Sequence, residues 1–209
     1  MKAEAGKTKG RVRLKSAAKE IAYLALSVAI LAVCAWITIP FTAIPVTLQT
    51  FAVAFIAVLL GPVRSLMAVA VYLLMGLIGI PVFSNFNAGA AALLGPTGGY
   101  LIGFLFEVVI TGLFGRIPVK NKFAKVAIVY LGMLLGLVAL YFFGTLWYIT
   151  VYNRGASEAV GVGAALMLCV VPYLLPDAVK TLIAALVGVR LKPFLKLDKQ
   201  IKDQQKNPQ

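Results

Sequence analysis

The sequence predicts an all-α integral membrane protein with six transmembrane helices and both termini in the cytoplasm. Of its 209 residues, 61% are hydrophobic and only 13% are charged, and the mean hydropathy of +0.95 lies outside the range of soluble domains. Its basic residues are concentrated at the two ends of the chain and in short breaks between apolar runs. This distribution is typical of a protein that crosses a bilayer several times, and the cell membrane is its expected location.

Six apolar runs, separated by proline, glycine and basic residues, are candidates for membrane spans. They define a six-helix membrane domain over residues 17–190, with a basic cytoplasmic arm at 1–16 before it and a basic cytoplasmic tail at 191–209 after it. The predicted spans are residues 17–37, 47–60, 65–80, 99–114, 123–152 and 174–189.

The charge distribution sets the orientation of these spans. With both termini inside, eighteen of the 20 basic residues fall on the cytoplasmic side, and the exceptions are Arg154 and Lys180. The net charge of +13 then suits contact with the lipid bilayer, and nucleic acid is not expected as a partner. A seventh span over residues 160–171 would be short and would place the basic tail outside. This segment is therefore predicted to be a short apolar helix near the outer leaflet.

The composition also argues against most catalytic chemistry. The chain has no histidine and only two isolated cysteines, so the common metal sites and nucleophile pairs cannot be assembled. It has no P-loop sequence, so it cannot drive work by its own ATP hydrolysis and any energy must come from a partner or a gradient. We therefore expect a protein that is not an enzyme and that needs no cofactor or metal. An intramembrane enzyme that uses Asp177 or Glu107 as its acid or base is the rival interpretation.

Two predicted outer loops are unusually apolar for segments in contact with solvent. Residues 38–50 carry regularly placed prolines and hydroxyl groups and are expected to pack on the protein as a lid, which Phe41 and Phe83 would help to close. Residues 79–100 are rich in glycine, asparagine and proline. Irregular backbone of this kind is tolerated near a membrane where it lines a cavity or is buried in protein. The sequence thus predicts a ligand cavity near the outer face.

The last predicted span contains an acid and a base. Asp177 and Lys180 are three positions apart and share one helix face, directly after Pro176, which can begin a helix. One interpretation is a self-neutralising salt bridge that only fixes this span. The other is a binding site, in which the carboxylate accepts from ligand N–H groups and the ammonium donates to a carbonyl or carboxylate. Because an ionisable group within a span costs about 2.5–3.5 kcal/mol, a functional role is favoured.

Further polar residues near the outer ends of the spans could complete this site with uncharged donors and acceptors. Glu107, by contrast, lies about two turns inside the cytoplasmic end of the fourth span and is placed outside the site. Snorkelling, contact with a neighbouring helix or protonation would each accommodate it. The candidate ligand contacts besides the acid and the base are Gln49, Asn85, Asn87 and Tyr100.

Small residues form a strip on the first span. Ala18 and Ala22 are four positions apart, as are Ala25 and Ala29, so another helix can approach this face closely. The strip serves either packing within the protein or contact with a partner.

Five strings in chain order resemble the BioY proteins, which are the biotin-specific S-components of energy-coupling factor vitamin importers. The resemblance covers most of the chain, but not the basic arm before Ile21 or the tail after Pro193. The strings are IPVTLQT at 44–50, LGP at 60–62, YLLMGLIGIPVF at 72–83, LGPTGGYL at 94–101 and LPDAVK at 175–180.

The resemblance implies the S-component fold and a high-affinity biotin-binding subunit that delivers biotin inward. Its implied partners are a membrane coupling protein and two cytoplasmic ATPases, which supply the energy, and the alanine strip would be the surface that docks on the coupling protein. An S-component for another vitamin and a proton-coupled small-molecule carrier are the alternatives.

The resemblance also implies roles for the acid and the base. An Asp-x-x-Lys motif in the last span is associated with biotin in this family, and it maps onto Asp177 and Lys180. Asp177 would accept from the ureido N–H groups, and Lys180 would donate either to the ureido carbonyl or to the carboxylate. The four uncharged candidates are the expected additional contacts, and the choice between the two asparagines is open.

Overall fold

Helices make up most of the computed structural model, which describes the backbone of residues 2–40, 44–154 and 159–195 and, within these ranges, the side chains from residue 17 onward. A small hairpin and two 3₁₀ turns complete the described part of the chain. The helices are α1 (Lys2–Trp36), α2 (Gln49–Leu60), α3 (Pro62–Leu77), α4 (Ala90–Leu94), α5 (Gly98–Phe114), α6 (Lys122–Tyr152), α7 (Val162–Cys169) and α8 (Val171–Leu191). The strands are β1 (Thr38–Ile39) and β2 (Val46–Thr47), and the 3₁₀ turns are Ser84–Phe86 and Lys192–Leu195.

Each of the six predicted spans coincides with one helix, namely α1, α2, α3, α5, α6 or α8. The boundaries agree within about three residues, except that α1 continues back through the basic arm to Lys2. The start of α3 moves to Pro62, since a proline fits the first turn of a helix, where its missing N–H has no partner to lose. The predicted short helix over residues 160–171 corresponds to α7, which has 8 residues.

Among the described helices, two are long and apolar enough to cross a membrane on their own, namely α1 over Ala17–Trp36 and α6. α7 and α8 meet the same criterion only together, and they are bent by 41° where they join. α2, α3 and α5 are apolar but shorter, and the 12 residues of α2 extend for only about 18 Å. A hydrocarbon core is about 30 Å thick, so the short helices leave room within its depth for non-helical segments.

The helix at the centre of the bundle is α2, which packs against α1, α3, α5 and α8. Ala52, Val53 and Ala54 are consecutive and therefore point in different directions, yet all three are fully buried. Protein therefore covers most of α2, and only the face of Phe51, Phe55 and Leu59 is partly exposed. The outward face of α6 instead exposes large apolar side chains such as Phe142 and Leu146, as expected where a helix contacts lipid.

The structure adds a β-hairpin to the predicted all-α fold. β1 and β2 are antiparallel, with Thr38 opposite Thr47 and Ile39 opposite Val46. Prolines at both ends of this loop disfavour a helix, and strand pairing gives hydrogen-bond partners to backbone groups that would otherwise be unsatisfied. Phe41, with its predicted role in a lid, lies outside the described residues.

Basic side chains gather at the end of the bundle opposite to this hairpin. Arg64 on α3 forms a bidentate ion pair with Glu20 on α1, with nitrogen–oxygen distances of 2.6 and 2.5 Å. Lys125 and Lys192 both donate to the carbonyl oxygen of Gly115, at 3.0 and 2.8 Å. These residues lie on the side to which the predicted topology assigns the cytoplasm.

Candidate functional site

A cavity of about 340 Å³ lies at the hairpin end of the bundle. Its walls come from the β1–β2 loop, the start of α2, the segment between α3 and α5, and parts of α5, α6, α7 and α8. This volume is near the lower end of the range for small-molecule sites, and its surface is mainly apolar although about half of the lining residues carry a polar side-chain group. The arrangement is suited to a small ligand with a limited number of polar atoms.

Asp177 is the most tightly held polar side chain in this cavity and is only 3% exposed. The Thr50 hydroxyl and the Lys180 ammonium lie 2.9 and 2.5 Å from its Oδ1. On the other side, the Tyr141 hydroxyl donates to Oδ2 at 2.6 Å. Thr50 belongs to the first turn of α2, so the positive end of that helix dipole also favours the carboxylate. Groups from α2, α6 and α8 thus fix Asp177 in one orientation.

Lys180 lines the cavity beside Asp177 and has a second acceptor. Its Nζ donates to the backbone carbonyl oxygen of Thr47 at 2.8 Å, which ties α8 to strand β2. An ammonium group has three N–H donors, and these two contacts use two of them. One donor is therefore left for an acceptor inside the cavity.

The start of α8 differs from the predicted one. The helix begins at Val171, with Pro172 in its first turn and Pro176 inside it. Pro172 is accommodated there because the first N–H groups of a helix have no acceptor, whereas Pro176 removes one hydrogen bond from the helix interior. This weakened turn directly precedes Asp177 and follows the bend between α7 and α8. The acid and the base are nevertheless adjacent on one face, as predicted from their spacing.

Gln49 also lines the cavity, and its side chain anchors the loop on the opposite wall. Its Nε2 donates to the Tyr72 hydroxyl at 2.7 Å, and that hydroxyl donates to the carbonyl oxygen of Val82 at 2.9 Å. The next residue, Phe83, is buried with its ring edge-on to Tyr72. It occupies the space over Gly76, where a Cβ would lie 1.9 Å from the phenyl ring. These contacts fasten the loop after α3 to the helices beneath it.

The two candidate asparagines have different positions. Both are exposed, but Asn87 lines the cavity and Asn85 has no part in its wall. Asn85 instead has a left-handed backbone conformation with φ of 56°, which asparagine tolerates better than most residues. Tyr100 lines the cavity, with its hydroxyl 3.3 Å from Thr145 Oγ1. Five of the six predicted ligand contacts therefore meet at one cavity, and Asn85 does not.

Two groups that contact Asp177 have no counterpart among the predicted site residues. Thr50 ends the loop at 38–50 with its regularly placed hydroxyl groups, so its position in the sequence carried a signal. Tyr141 lies within a long apolar helix, where an aromatic residue is equally typical of the core or of a lipid-facing surface. Only the packing of α6 against α8 reveals its contact.

Glu107 lies outside the cavity wall, as predicted. It follows Phe104, a wall residue, by one helix turn on α5 and is 0% exposed. This burial excludes snorkelling as the way in which the chain accommodates it. Within the described part of the chain, neither carboxyl oxygen of Glu107 has a hydrogen-bond partner, and the hydroxyl of Thr111, one turn further along, has none either.

The alanine strip on α1 lies on the surface of the bundle. All four of its residues are exposed, whereas a strip that served packing within the protein would be buried. Packing inside the described structure therefore does not explain it. The four residues are Ala18, Ala22, Ala25 and Ala29.

Known proteins resemble this chain over most of its length. Residues 6–197 match the BioY family. A Pyrococcus horikoshii protein described as a probable biotin transporter BioY is 37% identical over 175 residues, which is 84% of this chain and 97% of that protein. A Thermotoga maritima protein described as the biotin transporter BioY is 39% identical over 165 residues, or 78% of this chain and 90% of that one.

The similarity extends to three-dimensional structure. The crystal structure of an S-component for biotin from an ECF-type ABC transporter superposes on this chain with a TM-score of 0.72 and 27% sequence identity. The match covers 86% of this chain and 93% of the other. The two proteins therefore share most of the helical bundle, and not only the hairpin or one pair of helices. In sequence and in fold, the chain belongs to the BioY family.

Proposed function

We propose that this chain is the biotin-binding membrane subunit of an energy-coupling factor importer. The observation that carries the proposal is the buried Asp177–Lys180 pair in a small, largely apolar cavity, found in a member of a family whose relatives are described as biotin transporters. Those relatives are transport proteins, in agreement with the expectation that the chain is not an enzyme. As expected from its sequence, we assign it no cofactor and no metal.

The unused hydrogen-bonding groups of the pair match the polar ring of biotin. A carboxylate accepts about four hydrogen bonds, and three are already taken by Thr50, Lys180 and Tyr141. Asp177 therefore has one free acceptor position, on Oδ2, and would accept one ureido N–H rather than both. The remaining donor of Lys180 suits either the ureido carbonyl or the carboxylate of the ligand.

The other polar residues would have different tasks. Asn87 and Tyr100 line the cavity and offer the donors and acceptors that the second ureido N–H and the carboxylate require. Asn87, rather than Asn85, is the asparagine that we assign to the ligand. Gln49 has its amide engaged by Thr47 and Tyr72, so its main contribution is to hold the wall in place.

The finer topology is also a proposal. Six spans, with both termini in the cytoplasm, would place the cavity near the outer face of the cell membrane and the Arg64–Glu20 end inside. The short helices α2, α3 and α5 would then cross with help from the segments that line the cavity. This orientation allows the subunit to capture its ligand from outside the cell.

Transport requires a source of energy that this chain does not encode. We propose that it associates with a membrane coupling protein and two cytoplasmic ATPases, and that the exposed alanine strip on α1 is the docking surface. Small side chains allow the backbone of another helix to approach closely, which favours association within a bilayer. The strip runs along the part of α1 that is apolar enough to lie in the membrane.

Equilibrium binding of labelled biotin to the purified protein in detergent tests the central proposal. Saturable, near-stoichiometric binding that unlabelled thiamine and riboflavin do not displace is the expected result. An Asp177→Asn variant should bind about ten- to a hundredfold more weakly, since a hydrogen bond to a charged group contributes about 1.5–3 kcal/mol. Folded wild-type protein that fails to bind biotin would refute the substrate assignment, and wild-type affinity in the variant would make the ion pair purely structural.

A further inference from the structure

An unpaired acid lies directly beneath the proposed biotin site. On α5, Tyr100, Phe104, Glu107 and Thr111 follow one another at intervals of three or four residues and so share one helix face. The first two line the cavity, and the last two continue the same face toward the opposite end of the bundle. Among the described side chains, both carboxyl oxygens of Glu107 and the hydroxyl of Thr111 are buried without a hydrogen-bond partner.

The ionisable groups around Glu107 belong to the ligand site. Asp177 and Lys180 on α8 both interact with it electrostatically, and so does Tyr141 on α6. The only cation among them is the Lys180 ammonium, which is 2.5 Å from Asp177 and 2.8 Å from the carbonyl oxygen of Thr47. Glu107 therefore has no counter-ion of its own within this group.

The other helices that pack against α5 do not supply one. α2 and α4 contain no ionisable residue. On α3, Arg64 is paired with Glu20 at the far end of the bundle. The Tyr72 hydroxyl is hydrogen-bonded to Gln49 and to the carbonyl oxygen of Val82. In the described part of the chain, the ionisable groups that act on the buried Glu107 are therefore those of the ligand site.

The sum of charges around the cavity determines what an anionic ligand encounters. Asp177 and Lys180 cancel each other, so an ionised Glu107 gives this buried group one net negative charge. A biotin carboxylate in the cavity adds a second. Like charges at short range in a medium of low dielectric repel each other strongly, and an isolated buried carboxylate is costly by itself. A proton on Glu107 removes both penalties.

We propose that Glu107 is a proton-binding site beneath the cavity and that an anionic ligand binds together with one proton held on this side chain. The inference rests on the proposed function, because it requires biotin or a similar carboxylate as the ligand. It also accounts for a carboxyl group that is buried without a partner among the described side chains, since a neutral acid costs much less to bury than a carboxylate. Glu107 is then a group that sets the charge of the site without touching the ligand.

The direction of the effect follows from linkage. Protons favour the bound state, so the affinity for biotin is highest at low pH and falls as pH rises through the range in which free Glu107 releases its proton. The limiting slope is about a tenfold loss per pH unit, which corresponds to one proton taken up per ligand. A neutral analogue such as biotinamide adds no charge to the cavity, so its affinity is expected to be independent of pH.

Isothermal titration calorimetry of the full chain in detergent tests this directly. Biotin and biotinamide are titrated between about pH 6, where the free biotin carboxylate is ionised, and about pH 9, below the usual range of tyrosine and lysine. Repeating each titration in buffers of different ionisation enthalpy gives the number of protons taken up. We expect a rise towards one proton per biotin at the upper end of this range and none for biotinamide.

Two matched variants locate the proton. Glu107→Gln should bind biotin with no proton uptake and with an affinity that no longer varies with pH, whereas Glu20→Gln, the same change far from the cavity, should behave as wild type. Absence of proton uptake with wild-type protein that binds biotin would overturn this inference and leave the proposed function standing. Equal uptake with biotinamide, or unchanged uptake in Glu107→Gln, would also overturn it. Failure of the wild type to bind biotin at any pH would instead contradict the proposed function.

Discussion

The hydroxyl of Tyr141 on α6 donates to Oδ2 of Asp177 on α8 over 2.6 Å, although the two residues are 36 positions apart in the sequence. On the other oxygen, Thr50 and Lys180 donate at 2.9 and 2.5 Å. The carboxylate is therefore oriented before any ligand arrives, with one acceptor position unused. Such preorganisation lowers the conformational cost of binding, because the protein groups do not have to be ordered by the ligand.

Replacing Tyr141 with phenylalanine tests this orientation. The substitution keeps the ring and removes only the donor, so Asp177 loses one of its three hydrogen bonds. We expect the affinity for biotin to fall about tenfold, because a hydrogen bond to a charged group contributes about 1.5–3 kcal/mol and part of this is recovered by the ligand. Equilibrium binding in detergent provides the measurement.

Tyr148→Phe is the matched control for that variant. Tyr148 lies seven residues further along the same helix and is buried, but it is not part of the cavity wall. Its substitution should leave the affinity within about twofold of wild type. If both variants lose affinity equally, the effect comes from packing along α6 and not from the contact with Asp177.

The ion pair predicts a non-additive effect on stability. In Asp177→Asn, the Lys180 ammonium loses its counter-ion and has only neutral acceptors such as the Thr47 carbonyl oxygen, and breaking a buried pair at one end costs about 3–5 kcal/mol. Adding Lys180→Met removes the stranded charge, so the double variant should be more stable than the Asp177→Asn single variant. Thermal unfolding in detergent compares the wild type, Asp177→Asn, Lys180→Met and the double variant. A double variant as unstable as the sum of the single changes would show that the two residues are not coupled.

The loop on the opposite wall predicts a second effect on binding. In Gly76→Ala, the new Cβ would lie 1.9 Å from the Phe83 ring, so the ring and its loop must move. Overpacking of this kind costs about 1–3 kcal/mol, and the displaced wall should also raise the dissociation rate of biotin. Gly163→Ala, for which nothing lies within 4 Å of the added carbon, is the control and should change neither quantity. Equal dissociation rates of biotin in the two variants would show that the loop does not help to retain the ligand.

The elements and most of the site are predictable from this sequence because both depend on local patterns. Apolar runs punctuated by proline, glycine and basic residues locate six helices, since each run has to bury its backbone in lipid or protein. The spacing of Asp177 and Lys180 places them on one helix face, and an acid and a base within such a run have few structural explanations.

What the sequence does not reveal depends on contacts between distant segments. Tyr141 and Asp177 meet only because α6 packs on α8, and nothing in either helix alone indicates it. The same holds for the two asparagines, since Asn87 lines the cavity whereas Asn85, two residues earlier and in a left-handed backbone conformation, does not. The helical interior position of Pro176 is a third case, since either of two nearby prolines could begin α8.

The exposed strip on α1 leads to a prediction that separates binding from transport. Ala22→Trp adds a large ring to a surface that, in our proposal, must lie against the coupling protein, so close approach of the two backbones becomes impossible. Binding of biotin in detergent should remain at the wild-type level, because the strip is not part of the cavity wall. Uptake of labelled biotin by cells that also express the coupling protein and ATPases should fall to background.

Leu131→Trp, at a residue on α6 that is 51% exposed, is the control for bulk on a lipid-facing surface and should transport normally. Normal uptake by Ala22→Trp would remove the strip from the docking surface, whereas loss in both variants would point to a general effect on membrane insertion.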